Sequence, residues 1–281
     1  MTVEGSLAHR FLKAPMTTPF RHPPERRATR WVIRATLAAM RHRIAGLSGV
    51  SNLRALDGPF VAVLNHSQRA EALLVPALLG ALRGGRIIRF LADWNFMLLP
   101  PVFALYRAAR VIPVTSKPAR PAFLTPLRSW LAPAPSGVVL ARSCLQQGQP
   151  VGVFVEGTVN RNPRTLLRGR RGAARLCIEA GAPALPIGIR FPDHSDPDQP
   201  IDDREPLSVH IGEPIPSPPS SASDEDLFAV RRSHHAALMH AVAELSHTRW
   251  TGRSNERSSR RTGCTGSPDA LRSRLSHYHP D

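Results

Sequence analysis

The sequence predicts a single α/β domain with a central, mostly parallel sheet flanked by helices. Three observations predict it. Short apolar runs of strand length, among them Phe60 to Leu64 and Val151 to Val155, alternate with segments of helical character. Two polar segments follow those runs about ninety residues apart: Asn65-His66-Ser67-Gln68-Arg69-Ala70-Glu71 and Phe154-Val155-Glu156-Gly157-Thr158-Val159-Asn160-Arg161. The carboxyl end of a strand is where an open α/β sheet places its ligand-binding loops, so both segments point to one site. At 281 residues, with 42% hydrophobic and 21% charged residues, the chain is long enough to bury a substantial core.

Residues 1–26 are rich in Pro, Arg and Thr and read as a flexible basic arm. Residues 27–247 read as the folded domain. It opens on a basic amphipathic helix from Arg27 to Ile44, with Trp31, Ala35, Ala38 and Ile44 on one apolar stripe and Arg30, Arg34 and Arg41 on other sides. Such a helix lies in a membrane interface or packs on the domain with its arginines outward. After Gly58-Pro59 comes the strand Phe60 to Leu64, then a helix from about Ala70 to Leu82 that Pro76 interrupts, at a usual cost of roughly 3 kcal/mol. Arg86 to Leu91 and Arg110 to Val114 read as strands. The apolar segment between them, Asp93 to Ala109, is too short and proline-broken to span lipid and reads as core or as the lining of an apolar groove. Pro118 to Pro135 is a long, proline-punctuated connection. Val138 to Gln147 reads as a helix ending at Gly148, Val151 to Val155 as a strand, and Gly172 to Glu179 as a helix stopping at Gly181. Ala184 to Phe191 and Pro206 to Ile211 are the last strands, and Glu225 to His247 is a terminal helix. Residues 248–281 are dominated by Ser, Arg and Gly and read as a disordered basic tail.

Composition narrows the function classes. The net charge of +16 comes almost wholly from arginine, since Lys13 and Lys117 are the only lysines. That balance favours anionic partners such as phospholipid surfaces, phosphorylated substrates or coenzyme A. No recognition helix, stacking motif or zinc finger accompanies the charge, so nucleic acid is not an expected partner. Cys144, Cys177 and Cys264 are odd in number and widely spaced, which indicates neither a disulfide framework nor a zinc site and fits a reducing cytoplasm. With no apolar run of about 20 residues, the expectation is a protein peripheral to a membrane.

The first segment carries acid–base chemistry. A histidine takes a proton from an attacking hydroxyl, and a carboxylate on its other ring nitrogen fixes the tautomer and stabilises the imidazolium. Five residues along a regular helix turn through about 140°, so His66 belongs in the loop before the helix and Glu71 in its first turn. In the second segment, Gly157 lets the backbone approach a ligand closely, while Glu156 and Thr158 supply a carboxylate and a hydroxyl. A guanidinium suits a phosphate because it donates two parallel hydrogen bonds, and Arg161, Arg168, Arg170 and Arg171 all lie within reach of that role in sequence.

The first segment resembles the His-x-x-x-x-Asp signature of the glycerolipid acyltransferase family, the 1-acylglycerol-3-phosphate acyltransferases and their relatives. The second resembles that family's Phe-Pro-Glu-Gly-Thr block. More loosely, the stretch ending Val111-Ile112-Pro113-Val114 resembles the family's Ile-Pro-Val strand, and Ala184-Leu185-Pro186-Ile187 its Val-Pro-Val strand. The resemblance covers roughly residues 30 to 215. It implies a glycerolipid-acyltransferase-like fold and transfer of a fatty acyl group to lysophosphatidate or a related lysophospholipid. The donor would be acyl-CoA or an acyl carrier protein thioester, with no other cofactor and no metal. It further implies catalysis by His66 and Glu71, substrate binding by Asn65, Glu156, Gly157, Thr158, Arg161 and Arg171, and work at an anionic membrane surface on the inner face of the cell membrane. Two departures stand out. Glu71 is one methylene longer than the family's Asp, and Val159 occupies the place where an arginine usually follows the threonine in the lysophosphatidate acyltransferases; the Val159-Asn160 pair also resembles the tafazzin-like branch, whose acceptors are lysophospholipids. The alternatives are a lipid-binding homologue with an impaired site and an acyltransferase for a non-glycerolipid acceptor.

Overall fold

The computed structural model describes residues 27–115, 118–119, 121–131, 136–219 and 224–252. The expected arm at 1–26 and most of the expected tail at 248–281 lie outside the described residues. Seven strands form one sheet in the order β1-β7-β6-β2-β5-β3-β4: β1 Ile44–Ser48, β2 Val61–Leu64, β3 Arg89–Asp93, β4 Ile112–Val114, β5 Val151–Phe154, β6 Ala184–Arg190 and β7 Leu207–Ile211. Every pairing is parallel except β6 with β7. The expected mostly parallel α/β sheet is present.

Helices cover both faces, and the alternation along β2 shows how. Ala62 and Leu64 point into one core with α1 (Arg27–Met40) and α3 (Glu71–Leu82). Val61 and Val63 point into the other, with α6 (Gly137–Gln146), α7 (Gly172–Ala180) and α8 (Asp224–Ser246). All four β2 residues are buried, as a strand sandwiched between two helical layers requires. Gly181, at φ 61°, ends α7, and His247, at φ 55°, ends α8 one residue earlier than the sequence pattern placed it.

The first helix differs from expectation in extent and in face. It ends at Met40, a 3₁₀ turn covers Arg41–Arg43, and Ile44 opens the edge strand β1. The face turned to the core carries Thr29, Ile33 and Leu37, with Ile33 lying against α3 at Gly80. Trp31 stands 72% exposed, and Ala35 and Ala38 are exposed with it, so three of the four residues of the expected stripe point away from the core, while Ile44 is buried as part of β1. A short helix, α2 (Val50–Arg54), follows β1 after Gly49 at φ 70°. The apolar segment after β3 folds into a 3₁₀ turn, Trp94–Leu98, and α4 (Pro100–Ala108). The described part of the proline-rich connection holds a 3₁₀ turn, Ala122–Leu127, and α5 (Arg128–Leu131).

Helix α8 packs on β6 through Gly188, where an added Cβ would overlap the backbone of Leu245 and Ser246. Because neither the strand nor the helix can shift cheaply, Gly188→Ala is expected to destabilise the fold by about 1–3 kcal/mol, read as a lower urea midpoint at unchanged m-value.

Candidate active site

The site follows from one pairing. β2 and β5 run side by side with Leu64 opposite Phe154, and the Val155 amide donates to the Leu64 carbonyl at 2.8 Å. The two polar segments therefore leave adjacent strands at the same edge of the sheet, where such sheets bind ligands.

His66 sits in the loop after β2, and Glu71 is the first residue of α3. His66 Nδ1 and Glu71 Oε1 are 2.6 Å apart, and the Ser67 amide donates to the same carboxylate oxygen. The longer carboxylate thus reaches the ring. With Glu71 ionised, Nδ1–H is the donor and Nε2 carries the free lone pair. Nε2 has no hydrogen-bond partner among the described residues, and the side chain keeps 14% exposure. Glu71 is fully buried. Desolvation raises its pKa, against hydrogen bonds from His66, Gln68 and Ser67 that favour the charged form. The imidazole stacks on Phe154 with ring centres 4.4 Å apart, and Phe154 leans on Phe90. Gly152 makes room for Phe90, whose nearest ring atom, Cζ, lies 2.5 Å from where a Cβ would stand.

Glu156 joins the two loops. Its Oε1 accepts from the His66 amide at 3.1 Å, and its Oε2 accepts from Asn160 Nδ2 at 2.7 Å and from the Leu167 amide at 2.8 Å. The Asn160 amide in turn donates to the His66 carbonyl at 2.7 Å. Burial, with a smaller push from the nearby Glu71 charge, lifts the Glu156 carboxyl to about 7, its three donors notwithstanding. The net of these opposing effects is a penalty on ionisation of roughly 3 kcal/mol.

The remaining expected site residues fall in several places. Asn65 is buried, and both ends of its amide bond to Ile189 of β6, which extends the β2–β6 pairing through a side chain. Gly157, at φ 72°, lies directly under the Arg170 side chain, whose Cδ would be 2.8 Å from an added Cβ. Thr158 is exposed beside it. Arg161 pairs with Asp203 and donates to the Ile201 carbonyl at 2.7 Å. Arg171 turns toward α8, its guanidinium 5.1 Å over the Phe228 ring. Phe154, Asn160 and Gln68 carry parts of this arrangement that the sequence quoted without assigning, and Asp203 belongs to a segment that offered no signal.

A family model described as Acyltransferase matches residues 45–190, which include both loops. The chain belongs to that family. Among solved structures, the acyltransferase is similar to the 1-acyl-sn-glycerophosphate (LPA) acyltransferase PlsC from Thermotoga maritima. The two are 18% identical over 79% of this chain and 81% of that one, with a TM-score of 0.52, a likeness of fold. No functionally curated protein matches the sequence. Both loops of the acyltransferase, with His66 and Glu156 at their centres, fall inside the matched region.

The Glu156 carboxyl makes a pH-dependent contribution with a defined sign. Its pKa is raised in the fold, so between about 4.5 and about 7 the native state holds a proton that the unfolded chain has released, and stability is lost as pH rises through that window. Glu156→Gln removes this slope and sets an amide NH₂ against at least one of the facing N–H donors, a cost of about 1–3 kcal/mol. Urea unfolding at about pH 5 and about pH 8 is expected to show a smaller difference in the variant than in the wild type.

Proposed function

We propose that this acyltransferase moves a fatty acyl group from an acyl-CoA or acyl carrier protein thioester to the hydroxyl of lysophosphatidate or a related lysophospholipid. The observation that carries the reading is the His66–Glu71 pair, with Nδ1 held at 2.6 Å and Nε2 left free at the sheet edge. His66 Nε2 takes the proton of the acceptor hydroxyl while that oxygen attacks the thioester carbonyl carbon. A C–O bond forms, the C–S bond breaks as the tetrahedral intermediate collapses, and the proton on Nε2 passes to the departing thiolate. Glu71 holds the tautomer and stabilises the imidazolium.

The acceptor's phosphate belongs beside Gly157. Arg170 crosses that glycine, and its guanidinium has no hydrogen bond or ion pair among the described residues, which makes it the first choice for the phosphate. Thr158 is exposed next to it and offers a hydroxyl donor. Arg161 and Arg171 complete a positive field around the loop, each with a partner of its own.

A membrane surface as the place of work is supported by where the apolar side chains stand. Trp31 on α1, Phe96 and Leu99 around the 3₁₀ turn that precedes α4, and Phe123 are all more than half exposed. The elements that carry the first three touch in series, α1 on α4 and α4 on the turn. No helix among the described residues is long and apolar enough to cross a membrane. Aromatic side chains on a basic surface suit the interface of an anionic bilayer.

Two outcomes test this reading. With radiolabelled acyl-CoA or acyl carrier protein thioester and a panel of lysophospholipids, His66→Ala and Glu71→Gln are each expected to lower transfer by about 100-fold or more, with the fold retained. No transfer by the wild type to any acceptor sinks the proposal. In cosedimentation with anionic vesicles, Trp31→Ser is expected to weaken binding by about tenfold, and unchanged binding removes α1 from the interface.

A further inference from the structure

The loop between His66 and Glu71 is held by a segment more than a hundred residues away. Gln68 is fully buried, and its whole amide is in use. Its Oε1 accepts from Arg43 Nη2 at 3.1 Å, and its Nε2 donates to the carbonyls of Asp202 at 2.6 Å and Glu205 at 3.0 Å. The next amide, Arg69 N–H, donates to Asp203 Oδ1 at 3.0 Å, while Oδ2 of the same carboxylate pairs with Arg161. Arg161 and Ile201 bond in both directions, the Ile201 amide reaching the Arg161 carbonyl at 2.9 Å. The segment is also braced from within. Glu205 accepts from the Asp202 amide at 2.7 Å and meets His194 Nδ1 at 3.0 Å, and Ile201 is buried.

We propose that residues Ile201 to Glu205 form a clamp that sets the reach of the Glu71 carboxylate to His66, with Gln68 and Asp203 as positioning residues. The loop is fixed at one end by β2 and at the other by α3, and at its middle the Gln68 side chain and the Arg69 amide are tied to this segment, with Arg43 donating both to Gln68 and to the Glu205 carbonyl. One carboxylate oxygen must meet both the imidazole N–H and the Ser67 amide, so a small drift of the loop breaks the pair. In this chain the carboxylate is a glutamate, whose additional rotatable bond gives it more ways to miss the ring. The clamp also gives Arg161 a task other than substrate: it braces Asp203 from the loop that follows β5, so both polar segments lean on the same support.

The kinetic part of the test rests on the acyl-transfer reading, and a spectroscopic part does not. Asp203 is partly exposed, so Asp203→Ala is expected to fold, with thermal unfolding as the check. The clamp predicts that Asp203→Ala lowers kcat by about tenfold or more while the acceptor KM stays within about twofold, and that Asp203→Asn, which keeps an acceptor for the Arg69 amide, recovers most of the rate. The low-field proton resonance of His66 Nδ1–H, assigned by its absence in His66→Ala, is expected to move upfield or broaden in Asp203→Ala. An unchanged kcat with a lower acceptor KM overturns the clamp and makes Asp203 a mask over an anion site on Arg161. An unmoved resonance overturns it as well. If the wild type transfers to no acceptor, the functional reading fails and the resonance alone decides the clamp.

Discussion

Two parallel strands bring their carboxyl ends together, and a buried carboxylate holds what emerges from them. The pairing of β2 with β5 sets Leu64 opposite Phe154, and Glu156 then accepts a backbone N–H from His66 on one side and two donors from its own loop on the other. Hydrogen bonds to a charged group contribute about 1.5–3 kcal/mol each, yet burial still lifts this carboxyl to about 7. Desolvation therefore outweighs the bonds in setting its charge. Geometry is what the bonds secure: the His66 backbone has no freedom to swing away from Phe154, whose ring supports the imidazole, or from Glu71, which orients it.

The chain carries a formal charge of +16, and its candidate site is nonetheless built on buried acids. Glu71 and Glu156 are buried within the two loops, while Arg170 and Arg171 are exposed around them. This separation suits a substrate with a charged head and a neutral reacting group. Guanidinium groups at the surface attract the anion over distances of about a Debye length, and the buried acids act only on the atoms in contact with them. Arg161 stands between these roles, pulled toward protein by Asp203.

Much of the fold was legible because its strands are apolar runs closed by polar loops: β2, β5 and β6 each lie inside the span their sequence marked. The strand β1 was hidden because Ile-Ala-Gly-Leu-Ser is neither a continuous apolar run nor a clean alternation, and an edge strand asks for less. The face of α1 was misjudged because Trp31 outweighs Ile33 and Leu37 by size, while packing against α3 selects the smaller pair. In the site, the meeting of His66 and Glu71 was legible from the strand before them, the second polar segment downstream and the resemblance to the family's signature, the five-residue spacing alone being a weak signal. Asp203 was not, since its meeting with the Arg69 amide spans 134 residues and no local pattern announces it. Asn65 shows the converse, an expected substrate-binding residue whose amide bonds to β6.

The proposed proton transfer turns on which nitrogen of His66 holds the proton. Glu71 is buried and its pKa raised, so the same 2.6 Å contact is open in principle to a protonated carboxyl donating to a bare Nδ1. The most direct measurement is the ¹⁵N chemical shifts of the His66 ring near neutral pH, in the full chain without substrate. A protonated Nδ1 and an unprotonated Nε2, ready to accept a hydroxyl proton, are the expected result. A ring protonated at Nε2, with Nδ1 bare against a neutral Glu71, would contradict the proposed transfer.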